Sequence, residues 1–250
     1  MHICVTADIE RFSDGISKYG CFHKIDDTSC IRVLIDTFCE VDIPSTLFIL
    51  GKFAQEEPAI LDVVQENGHE LASHGYSHID LRTVPSSVLK DELSKSVPLG
   101  SVKGFRAPYY GLNKEMINQL ELHFKYDSSQ ITVRTREFLS QRIRMLTELL
   151  MEIPISTVWG IPLTSTNMRF LPLGIVKRVS HFVLEQNGYL IVNVHPWEFA
   201  EVPRAVAVPF YVKRNTGPCF LKKFSEFLKF LHRIDAEFVT MEQIYEYYRC

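Results

Sequence analysis

The chain has 250 residues, 46% hydrophobic and 23% charged, with a formal net charge of −3. That length and composition suit one globular domain over residues 1–250 and exclude a disordered or collagen-like chain. A sequence pI near 6.3 offers no basic footprint for phosphate backbones, so nucleic acid is not an expected partner.

No apolar run approaches the roughly 20 residues of a membrane-spanning helix, and the opening MHICVTADIE meets acids before a signal-peptide core could form. We therefore expect a cytoplasmic chain without a transmembrane segment. Its six cysteines contain no CxxC pair, which fits reduced thiols rather than a disulfide framework.

Short apolar runs alternate with amphipathic stretches along the whole chain. In order the runs are HICVTAD, STLFIL, HELASH, VKGFRA, FKYDSS, MEIPIS, YLIVNVH and EFVTM. Helices are predicted near 28–40, 53–67, 86–97, 113–121, 136–150, 173–187, 216–233 and 241–248. Gly68 and Gly188, each preceded by Asn and followed by a strand, read as helix C-caps. The alternation predicts βα units on a mostly parallel sheet: a distorted α/β barrel of about seven to eight units, with an open doubly wound sheet as the alternative. GxGxxG is missing from the first βα junction and GxxxxGK[ST] from the whole chain, so dinucleotide and P-loop sites have no support.

In a parallel barrel the reactive groups stand at the carboxyl ends of the strands. Five runs end in candidates: Asp8 and Glu10, His74 and His78, Arg106, Asp127, and His195. At helical pitch His74 and His78 would lie one turn apart on a single face, close enough to grip one ion. Each residue also has an ordinary reading. Asp8 and Glu10 fit a solvated loop entry, Arg106 a surface ion pair, Asp127 a helix N-cap, and His195 a core histidine under Trp197. Their convergence on one rim favours a site.

Taken together, TADIE at 6–10, HGYSH at 74–78, RAPY at 106–109 and IVNVH ending at His195 resemble the motifs of the NodB-type polysaccharide deacetylases, carbohydrate esterase family 4. IPSTLFILG at 43–51 is similar to that family's second strand, and the DIE and HPWE stretches are similar to its DxE and HPWE subgroup. The resemblance runs from residue 5 to about 240. It departs from the common pattern at Ile9 between the two acids, at Gly75 in the second motif, and in the absence of Asp-Trp after YDSS.

The resemblance implies a single catalytic domain, a NodB-like barrel and a metal-dependent hydrolase that removes an N-acyl group, usually acetyl, from an amino sugar or glycan precursor. Glu10, His74 and His78 would bind one divalent ion, with zinc the default. Asp8 would be the base, held by Arg106, and His195 the acid, paired with Asp127 or Glu152. Tyr109, Pro108 and Trp197 would contact the substrate. Two other outcomes stay open: a non-carbohydrate amide or formamido sugar-lipid as substrate, and a decayed scaffold that only binds carbohydrate.

Overall fold

The computed structural model describes residues 1–96, 102–131 and 142–249. Eleven strands occur among them: β1 His2–Ile9, β2 Thr46–Ile49, β3 Glu70–Ser73, β4 Gly104–Phe105, β5 Tyr126–Asp127, β6 Arg144–Met145, β7 Met151–Glu152, β8 Thr157–Val158, β9 Ile161–Pro162, β10 Tyr189–Val194 and β11 Glu237–Phe238. The main sheet runs β10-β1-β2-β3-β4-β5-β7-β6, with β11 also on β1. All its pairings are parallel except β6 with β7. The chain after β7 curls back to β10, where Ser156 N–H donates to Ile191 O (3.0 Å) and Asn193 N–H to Leu163 O (3.1 Å). The result is a distorted α/β barrel.

Strand period explains how β1 organises the site. Successive side chains alternate between faces. Ile3, Val5, Ala7 and Ile9 face outward into the large cluster formed with the surrounding helices. Cys4 faces inward with Phe48, Ala72, Tyr126, Met151 and Ile191. Thr6, Asp8 and Glu10 continue that inward row, so the two acids point the same way although Ile9 separates them. The floor of the barrel is filled by Tyr126, Tyr189 and the helix Met241–Tyr248, so the open end is the carboxyl rim.

The predicted helices at 86–97, 113–121, 173–187, 216–233 and 241–248 appear as Ser86–Ser96, Lys114–Leu120, Leu173–Asn187, Pro218–Leu231 and Met241–Tyr248. The first, predicted near 28–40, is Asp27–Cys39, capped by Asp26 accepting from Ser29 N–H at 3.0 Å. Gly188 ends its helix at φ 78° and Gly68 turns at φ 74°, the left-handed conformation a C-cap needs. The predicted helix over 53–67 divides into Gly51–Glu56 and Ala59–Glu66, because Pro58 lacks an N–H and restrains Glu57 before it. Residues 136–141 of the helix predicted near 136–150 lie outside the described residues. Residues 142–150 hold β6 and a turn instead.

Candidate active site

β1 delivers Asp8 and Glu10, both at most 5% exposed, to the rim. His74 follows β3 in extended backbone, its N–H bound to Ile49 O at 2.9 Å. His78 sits in the next loop at φ 54°. The four-residue spacing thus works through a loop between strand and cleft, not along a helix face. That loop is pinned twice. Gly51 N–H and Lys52 N–H donate to Gly75 O and Tyr76 O (2.9 and 3.1 Å), and buried Glu92 accepts from Ser77 N–H (3.0 Å) and Oγ (2.5 Å).

One Glu10 carboxylate oxygen lies 2.5 Å from His78 Nε2 and 3.7 Å from His74 Nε2. One ligand atom from each of the three residues falls within 4.8 Å of the others. His74 Nδ1 lies 2.8 Å from Arg106 O. A carbonyl only accepts, so Nδ1 carries the proton and Nε2 keeps its lone pair for an ion. The donor set fits a divalent metal. Gly15 makes room for the Glu10 carboxylate: a Cβ there would stand 2.6 Å from Glu10 Oε1.

Asp8 belongs to a different network. Arg106, fully buried and stacked over Phe48 at 3.9 Å, places Nη1 2.7 Å from Asp8 Oδ1 and 2.7 Å from Asn193 Oδ1. Asn193 Nδ2 donates to Asp8 Oδ2 (2.9 Å) and to the Tyr110 hydroxyl (2.7 Å), which in turn lies 3.3 Å from Asp8 Oδ2. Burial by itself raises the Asp8 carboxyl. The Arg106 guanidinium, with the charged His195 imidazole beyond it, outweighs this and holds Asp8 below the ordinary range. Asn193 escaped the sequence reading. Its signal was an amide amid the apolar residues of a strand buried on both faces.

On the far side His195 presents Nε2 3.7 Å from Asp8 Oδ2. Its Nδ1 is 3.5 Å from Glu198 Oε2 and 3.4 Å from Ser165 Oγ. Glu198 is in turn paired with Arg169 at 2.8 Å, with both side chains fully buried. Arg169 stands on the short helix Ser165–Phe170 and also binds the carbonyls of Tyr211 and Val212 (3.0 and 3.2 Å). Burial alone would lower the His195 pKa; Glu198, Glu10 and Asp8 outweigh it and raise it to about 9.

The acid expected beside His195 was Asp127 or Glu152, and the structure corrects this. Asp127 accepts from Ser129 N–H (2.8 Å) and Oγ (2.7 Å), and Glu152 accepts from Gln130 N–H (3.0 Å). The two carboxyls oppose each other across β5 and β7. Burial, then the Asp127 charge, pushes Glu152 well above the usual carboxyl range, and neither acid is the one within reach of the His195 imidazole, which is Glu198. The partner of His195 is Glu198, three residues on in the same HPWE turn.

Tyr109, Tyr110, Trp197, Thr166, Arg169 and Tyr211 line the cleft. The Trp197 ring lies 5.8 Å from His195 and 5.2 Å from Phe12. Pro108, expected to contact substrate, is instead buried against the metal-side loop, its Cδ 3.6 Å from where a Cβ on Gly75 would stand. His78, Tyr109 and Tyr110 all adopt left-handed backbone. For side chains of this size that conformation is strained, and such strain concentrates at functional sites.

Fold and cleft define a class: a distorted barrel with two imidazoles and a carboxylate on its carboxyl rim. Residues 19–124 match the family described as Polysaccharide deacetylase. That span contains His74, His78, Arg106 and Tyr109, while β1 and β10 bring Asp8, Glu10 and His195 to the same cleft from outside it. A chitooligosaccharide deacetylase of Sinorhizobium fredii is 32% identical over 83 residues, covering 30% of this chain and 39% of its own length. A peptidoglycan deacetylase of Helicobacter pylori is 28% identical over 138 residues, covering 49% and 47%. The chain thus spans less than half the length of these curated relatives. A crystal structure assigned as a polysaccharide deacetylase from Mycobacterium smegmatis superposes with a TM-score of 0.71 at 19% identity, over 99% of this chain and 90% of that one. Residues 19–124 are thus similar to the polysaccharide deacetylase family, and over nearly the whole chain the likeness to the solved structure is one of fold.

Proposed function

We propose that residues 1–250 form one catalytic domain, a metal-dependent hydrolase that removes an N-acyl group, acetyl foremost, from an amino sugar or glycan precursor. The observation that carries this is the clustering of Glu10, His74 and His78 within 4.8 Å, in a cleft that Asp8 and His195 also line. The names of the two curated relatives support the substrate class. The DIE and HPWE stretches support a place in the DxE subgroup.

Glu10, His74 and His78 would hold the ion, zinc being the first choice for two imidazoles and a carboxylate. When bound, it polarises the acyl carbonyl and lowers the proton affinity of water. Asp8, kept ionised by Arg106 and aimed by Asn193 and Tyr110, accepts the proton of the attacking water. The Tyr109 N–H, which donates to no backbone carbonyl among the described residues, would steady the developing oxyanion. His195, held as an imidazolium by Glu198, delivers a proton from Nε2 to the amine nitrogen as the C–N bond breaks. The products are a free amine and a carboxylic acid.

Metal analysis with an acetate-release assay on N-acetylglucosamine oligomers tests the reading. One divalent ion per chain, turnover abolished by chelation, and loss of the ion in His78→Ala are expected. Turnover that survives full chelation, or sugar binding with neither metal nor turnover, overturns it.

A further inference from the structure

Charge is distributed unevenly along this chain. Segments 153–184 and 202–225 contain eight of its 27 Lys and Arg and none of its 30 Asp and Glu. The remainder is therefore strongly acidic. Arg169 is paired with Glu198. The other seven, Lys177, Arg178, Arg204, Lys213, Arg214, Lys222 and Lys223, lie in no ion pair among the described residues.

The same two segments carry six of the fourteen exposed large apolar side chains among the described residues. Trp159 is 66% exposed at the tip of the β8–β9 hairpin and Phe210 59% exposed on the helix Phe210–Lys213. Several contacts join them into one face. The rings of Phe170 and Phe210 lie 6.3 Å apart, and the Arg214 guanidinium stands 4.8 Å from the Phe210 ring. Asn167 Nδ2 donates to Pro162 O at 2.8 Å, tying the hairpin to the Phe170 helix, and Lys223 Nζ donates to Leu171 O at 2.5 Å. Next to Phe210, Tyr211 shares a hydroxyl hydrogen bond of 2.7 Å with Tyr19, and both line the cleft.

We propose that this face docks the protein onto an anionic lipid bilayer, with the cleft opening beside the membrane surface. Exposed Trp, Phe and Ile side chains gain by entering the headgroup and acyl boundary, and unpaired Lys and Arg are attracted to anionic headgroups. A purely solvated basic face would not leave its large apolar side chains uncovered. A polyanionic polymer would satisfy the cations but would find no polar handle on Phe170, Phe210 or Ile161. The surface is read from charge and exposure alone, so it stands apart from the deacetylase proposal.

Flotation of the full chain with phosphatidylcholine vesicles, with and without phosphatidylglycerol, tests the docking. Partition onto the phosphatidylglycerol vesicles alone, reversed by high salt, is expected. The double variant Arg204→Glu/Arg214→Glu, at exposed positions, should lower partition about tenfold or more. Phe210→Ser should lower it at unchanged melting temperature. A protein that stays in solution with both vesicle types, that binds heparin but not vesicles, or whose charge-reversed variant partitions like the parent overturns the proposal. Because partition rather than turnover is read, either outcome leaves the deacetylase reading untouched.

Discussion

Two buried arginine–carboxylate pairs flank the cleft, Arg106–Asp8 at 2.7 Å and Arg169–Glu198 at 2.8 Å. As chemical units they are nearly the same, and in both the arginine is almost wholly buried. Their neighbours give them opposite tasks. Asp8 is bound by Arg106 at Oδ1 and by Asn193 and Tyr110 at Oδ2, yet it lines the cleft, where the proposed mechanism has it accept a proton. Both Glu198 oxygens are engaged, one by Arg169 and one by His195, so Glu198 can only hold the imidazole charged. On the proposed mechanism, an arginine beside a carboxylate makes a base in one place and a positioning group in the other. What decides is which carboxylate lines the cleft: Asp8 does, and Glu198 lies behind His195.

The largest effect is expected at the pair whose carboxylate lines the cleft. Asp8→Asn should keep the metal yet lower kcat for acetate release by about a thousandfold, within the usual worth of a general base. Substantial residual turnover with full metal occupancy would show that the two pairs do not differ as described.

Glu198→Gln tests the other pair through pH. The raised imidazole contributes stability that is complete below its ordinary value of 6.5 and is lost as pH rises through about 9. If His195 acts as the charged acid, the alkaline limb of kcat lies near that same pH. Removing the Glu198 charge should move this limb downward and cut kcat by about tenfold on the alkaline side, with less change at acid pH. An unmoved limb would sever Glu198 from His195.

Gly15→Ala sharpens the metal side. The added methyl meets the mobile end of Glu10, so the carboxylate should shift, weakening metal affinity by about tenfold, as measured by competition with a chelator. An unchanged affinity would mean that Glu10 is not a ligand. The smallest effect is expected at Asp127→Asn, which should leave the alkaline limb in place, because Asp127 bonds Ser129 and opposes Glu152. A shift of that limb would restore Asp127 as the partner of His195.

Much of the fold was legible because strand and helix periods are local. The inward row of β1, the run YLIVNVH and the capped helix at 173–187 all follow from neighbouring residues, and so do Asp8, Glu10, His74, His78, Arg106 and His195 at strand ends. The short helices Ser165–Phe170 and Phe210–Lys213 left no such signal, being too brief to show a period. Arg169 was therefore invisible as a site residue. Glu198 stands within HPWE, but at three residues' distance nothing in the chain shows that it turns back beneath His195.

By itself, the sequence determined which side chains reach the carboxyl rim, since alternation along a strand and the direction of a parallel sheet are properties of consecutive residues. Only the tertiary structure decided which acid serves which base. Asp8 with Arg106, Glu198 with Arg169, and Asp127 with Glu152 are pairings between elements, chosen by how the barrel closes. A buried charge must find its opposite, or its proton, wherever the curled sheet brings one within reach.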